Sequence, residues 1–349
     1  MESPDSLLQG LLKCYSPSTR ERGASEYLVQ QMGSLGFDRA FVDESGSAVG
    51  ILGDGERQIV LLGHIDTVPG YIEVVERAGK LYGRGSVDAK GPLATFTAAA
   101  ARAGRQPNWQ IVVIGAVEEE AASSKGAHFA RSQYQPELCV IGEPSRWDHI
   151  TLGYKGRLLL DYHFSRTITH TARKDRSAPE QAVTFWNELN AEIAVVNADR
   201  EKAFDQILSS LRSIHSSEDG FREDVTMTVG FRLPMDVSPD AMRARVLAHA
   251  DGAKIEFRGE EPAYKCDPRS PLVRLFNNAI RDAGGKPGYL YKTGTSDMNV
   301  VGPVWSCPLL AYGPGNSTLD HTPEEHIELE EYHRAIEVVT GVLCSLSSL

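Results

Sequence analysis

Cysteine is scarce and scattered. The five residues Cys14, Cys139, Cys266, Cys307 and Cys344 are odd in number and never form a C-x-x-C pair, which argues against a disulfide framework or a thiolate zinc site. They read as small buried hydrophobes in a reducing compartment. Positive charge is also short: 36 Lys and Arg against 47 Asp and Glu give a formal net charge of −11, so the whole molecule has no electrostatic footprint for nucleic acid or an anionic membrane. Any basic function must be local. Nowhere do about 18 apolar residues run together, and the opening "MESPDSLLQGLLKCYS" carries acids but no basic leader segment. The expectation is a cytoplasmic protein. No G-x-S-x-G elbow occurs and no cysteine sits in a motif that lowers its pKa, which sets aside a serine or cysteine nucleophile.

What is present suits two globular domains: 349 residues, 41% of them hydrophobic, are enough to bury a sizeable core. Amphipathic helical patterns (Leu7, Leu8, Leu11, Leu12; then "ERGASEYLVQQMGSLG") precede short strands in "RAFVDE", "AVGILG" and "RQIVLLG". A hairpin in "YIEVVERAGKLYG", a helix in "GPLATFTAAAARAG" and buried strands in "WQIVVIGAV" and "ELCVIGEP" follow. Alternating strands and helices predict an α/β fold, a mostly parallel sheet with helices on both faces. Around residue 153 the character changes to a two-layer α+β pattern, and from "PLVRLFNNAIRDAGG" onward the α/β pattern returns. The expected organisation is a discontinuous catalytic domain, residues 1–152 and 261–349, with a lid domain of residues 153–260 inserted into it.

The stretch "VLLGHIDTVPG" ends a buried run on His64 and Asp66, which share a face of the strand. The carboxyl end of a strand in an open α/β sheet is where such folds place ligands. Four further segments each follow a strand-like run: "LYGRGSVDAKGPLA" with Asp88, "AVEEEA" with Glu118, Glu119 and Glu120, "VIGEPS" with Glu143, and "NSTLDHTPEE" with His321. Like charges at the mouth of a buried strand repel one another, and a divalent cation is the simplest compensation. Two histidines with several carboxylates suit zinc or a similar borderline ion, and a carboxylate left over is free to act as general base.

In this order, "GHIDTVP", "GRGSVDAKG", "EEEA", "GEPS", "GTSD" and the late His321 resemble the di-zinc peptidases and deacylases that include acetylornithine deacetylase and succinyl-diaminopimelate desuccinylase. The resemblance spans nearly the whole chain and implies the inserted lid. It implies two Zn2+ per chain, with Co2+ able to substitute: His64 and Glu143 on one ion, Glu120 and His321 on the other, Asp88 bridging both. It makes Asp66 the partner that fixes the His64 ring, Glu119 the base, and the Asp88–Ala89 peptide cis. Because the family places its base immediately before a metal-ligating Glu that a small residue follows, the roles fall on Glu119 and Glu120 rather than on Glu118 and Glu119. The family also resembles a dimer in which a lid histidine of the partner subunit stabilises the oxyanion. His170 in "TITHTARKD" holds that place here, although Thr169 and "TARKDR" depart from the family's usual neighbours. Arg232 in "GFRLP" matches an arginine that binds a substrate carboxylate, and Thr295 and Asp297 in "GTSD" stand as substrate contacts. The alternating strand "YKGRLLLDYHF" is expected to pair edge to edge with its copy across the dimer axis.

Within the family, "YKTGTSDMNVVGP" looks most like the lysine-biosynthesis branch, whose enzymes release lysine, in some organisms ornithine, from the acidic carrier protein LysW. An acidic carrier needs a cationic approach on an otherwise acidic enzyme, and Arg173, Lys174 and Arg176 in the lid supply one. An acetyl-lysine or acetylornithine deacetylase, a dipeptidase, and a non-catalytic dimeric binding protein on the same scaffold remain open from the residues alone.

Overall fold

In the computed structural model of the chain, residues 3–168 and 175–349 are described. The chain divides into two compact units. The first comprises Met1–Gly153, Cys266–Tyr291 and Ser296–Leu349; the second comprises Tyr154–Lys265 and Lys292–Thr295. The short Lys292–Thr295 segment thus counts with the second unit, whereas the boundaries expected from sequence assigned it to the first.

The most apolar runs of the first unit form its sheet. Trp109–Ala116, Arg57–His64, Leu138–Gly142 and Leu309–Tyr312 lie side by side and parallel. Apart from the first residues of Arg57–His64 and from Gln110, these strands are buried throughout, which is why they carry continuous rather than alternating apolar sequence. Ala48–Leu52 and Arg39–Val42 extend one side antiparallel, and His149–Tyr154 the other. The register brings the carboxyl ends level: His64 lies opposite Ala116, and Gly63 opposite Gly142. His64, the Glu118–Glu120 run and Glu143 therefore leave the sheet along one rim, the ligand-binding rim of an α/β sheet.

The helix Lys90–Ala103, rich in alanine, packs on these strands and against the last helix, Leu329–Cys344. Small residues let it come close. A Cβ added at Gly142 would stand 2.9 Å from both the Gly63 Cα and a Phe96 ring carbon. Just ahead of this helix the Asp88–Ala89 peptide is cis, as the resemblance implies. No helix among the described residues is long and apolar enough to cross a membrane.

The second unit has a four-stranded antiparallel sheet in the order Leu208–Glu218, Arg222–Leu233, Gly156–Thr167, Lys254–Glu261. The helices Ala178–Asn197 and Pro239–Ala248 cover one face, burying Leu158, Leu160, Tyr162, Phe185, Met227 and Phe231. The strand "YKGRLLLDYHF" is consequently not an edge. It is hydrogen-bonded on both sides, to Arg222–Leu233 and to Lys254–Glu261, so it cannot pair with a copy of itself as expected. Its alternation marks one covered and one open face of an interior strand. The long edge strand is Leu208–Glu218, exposed over most of its length.

The close approach at Gly142 makes Gly142→Ala an overpacking change against backbone. It is expected to lower stability by about 1–3 kcal/mol, read as a lower urea midpoint; an unchanged midpoint would mean that the neighbouring strand gives way freely.

Candidate metal centre

Asp88 stands between two histidines. Its Oδ1 is 3.2 Å from His64 Nε2 and its Oδ2 is 3.1 Å from His321 Nε2. His321 Nε2 also meets Glu120 Oε1 at 2.9 Å. Ligand-type atoms of His64, Asp88 and Glu120 all lie within 4.8 Å of one another. A carboxylate that faces one imidazole with each oxygen, with a further carboxylate beside one of them, is a nitrogen and oxygen donor set of the kind borderline divalent ions take. The residues present therefore fit such an ion.

Asp66 organises the inner rim. It is fully buried, and its carboxylate accepts from Ser18 Oγ at 2.7 Å and from the backbone N–H groups of Glu119 and Glu120 at 3.1 and 3.0 Å. Its Oδ1 lies 3.5 Å from His64 Nδ1, which also sits 3.1 Å from the Asp66 carbonyl. With Nδ1–H turned to Asp66, Nε2 is the nitrogen left to face Asp88. Burial alone would raise the Asp66 pKa, but the His64 ring, the Ser18 hydroxyl and the Glu120 amide hold it below the ordinary carboxylate value.

The triple glutamate separates by direction. Glu118 adopts a left-handed φ of 60° and turns the chain. Its side chain accepts from Ser123 at 2.6 Å and faces Lys125, away from the histidines. Glu119 Oε2 comes to 3.9 Å from His64 Nε2, and Glu120 reaches His321. Burial, opposed by the His64 charge and reinforced by Glu143, Asp297 and Glu120, pushes the Glu119 pKa well above that of an ordinary glutamate. A carboxyl so raised is suited to exchange protons near neutrality. Glu143 is buried where the Leu138–Gly142 strand ends, close enough for its charge to act on Glu119.

Within the second unit, Arg232 Nη1 donates to Thr295 Oγ1 at 2.8 Å. Asp297 is buried in the first turn of the short helix Asp297–Val301 of the first unit, where its charge reaches Glu119. Arg176 is exposed, and its carbonyl accepts from Arg166. His170, Arg173 and Lys174 lie outside the described residues.

Sequence reading missed the supports. Ser18 acts on Asp66 from far along the chain, and Glu21 accepts from Thr19 N at 2.8 Å and Glu118 N at 3.2 Å. The amine of Lys90, fully buried, donates to the carbonyls of Leu11 and Cys14 at 3.2 and 2.7 Å. Arg84 and Glu325 form a buried pair beside Asp88. Ser18 and Glu21 stand among polar neighbours in "SPSTRER" with no pattern to mark them, and Lys90, Arg84 and Glu325 fall inside motifs singled out for other residues.

Comparison with known proteins decides the family. The profile of peptidase family M20/M25/M40 matches residues 60–345. The chain belongs to this family. It is thus a hydrolase of a family that works with a divalent metal. The M20 chain is 44% identical to the LysW-lysine hydrolase of Deinococcus radiodurans over 97% of its own length and 96% of that protein's. It is 28% identical to the LysW-lysine/LysW-ornithine hydrolase of Saccharolobus islandicus, over 95% of its own length and 92% of that protein's. Among solved structures, the M20 family metallo-carboxypeptidase Sso-CP2 of Sulfolobus solfataricus superimposes with a TM-score of 0.81 at 16% identity, and covers 100% of both chains. Aminopeptidase PepT of Bacillus cereus gives 0.77 at 19% identity over 99% of each chain. At such identities these structures speak for the fold alone.

Hydrogen bonds to Asp88 and Glu120 raise the His321 pKa to about 10. Burial opposes the charge on His64, but hydrogen bonds to Asp66 and Asp88 outweigh it and raise that pKa well above the ordinary histidine value. An incoming metal must therefore displace a proton from His321 at pH 7, so metal affinity falls as pH falls. Calorimetric titration with zinc at pH 7 is expected to show proton release, as a heat that varies with the ionisation enthalpy of the buffer. A buffer-independent heat would count against this account of the two histidines.

Proposed function

We propose that the chain hydrolyses the amide joining the α-amine of lysine, with ornithine as a second leaving amine, to a glutamate side chain of the acidic carrier protein LysW. Relatives of that name cover the chain nearly end to end, one at 44% identity. The observation that carries the chemistry is Asp88 facing His64 and His321 with opposite oxygens, beside a glutamate whose charge is disfavoured.

In this reading His64 and Glu143 would hold one zinc ion and Glu120 and His321 the other, with Asp88 shared between them; cobalt could substitute. When bound, such ions polarise the amide carbonyl and acidify water. Glu119 takes one proton of the attacking water and hands it to the amide nitrogen as the C–N bond breaks; the water's second proton, left on the new carboxyl, then passes to the amine, so lysine leaves as an ammonium and the carrier glutamate as a carboxylate. Asp66 keeps His64 in the tautomer that presents Nε2. Arg232, steadied by Thr295, offers a planar fork for the carboxylate of the lysine. Asp297 is assigned to the far ammonium of that lysine. His170 of a partner subunit would stabilise the oxyanion, and Arg173, Lys174 and Arg176 would meet the acidic carrier. A cytoplasmic homodimer belongs to the same proposal.

Two experiments test it. With zinc loaded, kcat/KM for lysine release from the carrier is expected to exceed that for acetyl-lysine and to weaken with added salt. Equal or better cleavage of acetyl-lysine would make the enzyme a small-molecule deacetylase. Glu119→Gln is expected to lower kcat by roughly 100- to 10,000-fold at unchanged zinc content; turnover that survives would remove Glu119 from the role of base.

A further inference from the structure

The reading above gives no task to the buried pair of Arg84 and Glu325. Arg84 is 8% and Glu325 1% exposed, and Arg84 Nη1 donates to Glu325 Oε2 at 2.8 Å. The other oxygen, Oε1, accepts three backbone N–H groups: Gly85 at 3.0 Å, Val87 at 3.0 Å and Asp88 at 3.1 Å. Arg84 also donates from Nε to the carbonyl of Gly70 at 2.9 Å, and Gly70 N donates to the Tyr15 hydroxyl at 3.0 Å. A small antiparallel sheet fixes where the pair meets, with His326 opposite Tyr82 and Ile327 opposite Leu81, and Gly83 N donating to the Glu325 carbonyl at 3.3 Å.

The connectivity is more telling than the ion pair itself. Gly70 closes the loop that follows His64 and Asp66, residues 85–88 end on Asp88, and Glu325 comes four residues after His321. One side-chain pair therefore ties together the segments that carry both histidines and the carboxylate between them. Burying two charges is a poor way to gain stability, since an apolar pair of similar volume does as well or better. What a carboxylate does better is hold several N–H groups in one fixed orientation.

We propose that Arg84 and Glu325 are positioning residues that aim the Asp88 carboxylate at both histidines and so set the metal affinity of the site. The inference rests on the reading of His64, Asp88 and His321 as metal ligands. Neither Arg84 nor Glu325 is a ligand; both act through the backbone of residues 85–88 and the loop at Gly70.

The test uses the full chain, stripped of metal, as wild type, Glu325→Gln and Arg84→Lys. Zinc affinity is measured by competition with a chromogenic chelator, and the urea midpoint of each metal-free protein is measured alongside. Glu325→Gln keeps the volume but loses the charge and turns an amide donor toward donors, and it is expected to bind zinc about 10- to 100-fold more weakly. In the reloaded enzyme kcat falls and KM stays, because neither residue touches substrate. Arg84→Lys keeps the charge but cannot hold Gly70 and Glu325 together, and a weaker zinc affinity at a near-normal midpoint is expected. If Glu325→Gln does not fold, the lysine variant decides. A lowered midpoint with wild-type zinc affinity would overturn the proposal and leave the pair a structural staple. A wild-type chain that binds no zinc would instead remove the ligand reading, a failure that the wild-type titration alone reveals.

Discussion

The first unit is arranged around one requirement: a single carboxylate, Asp88, must face two histidines at once without moving. His64 comes from the end of a central strand and His321 from a loop more than two hundred residues later, with a left-handed φ of 62°. Neither is near Asp88 in sequence. The parallel register brings the rims of the strands level, and the cis peptide sits directly after Asp88, just before the fully buried first turns of its helix.

A second carboxylate performs a similar service on the inner side of the site. Asp66 gathers the amides of Glu119 and Glu120, the Ser18 hydroxyl and the His64 ring around its two oxygens. Buried acids such as this one are tolerable because each of their lone pairs has a donor. The acids that point into the site are treated differently: burial and mutual repulsion raise Glu119 and Glu120, whereas Asp88, though burial opposes its charge, is held low by His321 and His64. An arrangement that concentrates repelling carboxylates around two imidazoles is of little use to the fold. It becomes coherent when cations replace the protons.

Much of this was legible in the sequence because the relevant physics is local. Continuous apolar runs announce strands buried on both faces, and polar residues at their ends announce a rim; His64, the Glu118–Glu120 run and Glu143 stand out that way, whereas the choice of Glu119 and Glu120 over Glu118 came from the family resemblance. The supports were not legible. Ser18 reaches the Asp66 carboxylate across 48 positions, and Glu325 reaches the Asp88 amide across 237, by long-range contacts that impose no pattern on the neighbouring residues. The strand Leu208–Glu218 was missed for a related reason: exposed on both faces, "LSSLRSIHSSE" has no buried side to write an apolar period. Conversely, the alternation of Gly156–Thr167 was taken for an edge, although a period of two reports which face is covered and nothing about neighbours.

The most direct test of the central claim is anomalous X-ray scattering from crystals of the zinc-loaded protein. The account predicts two peaks per chain, one on the His64 side of Asp88 and one on the His321 side. A single peak, or peaks that leave Asp88 uncoordinated, would contradict it.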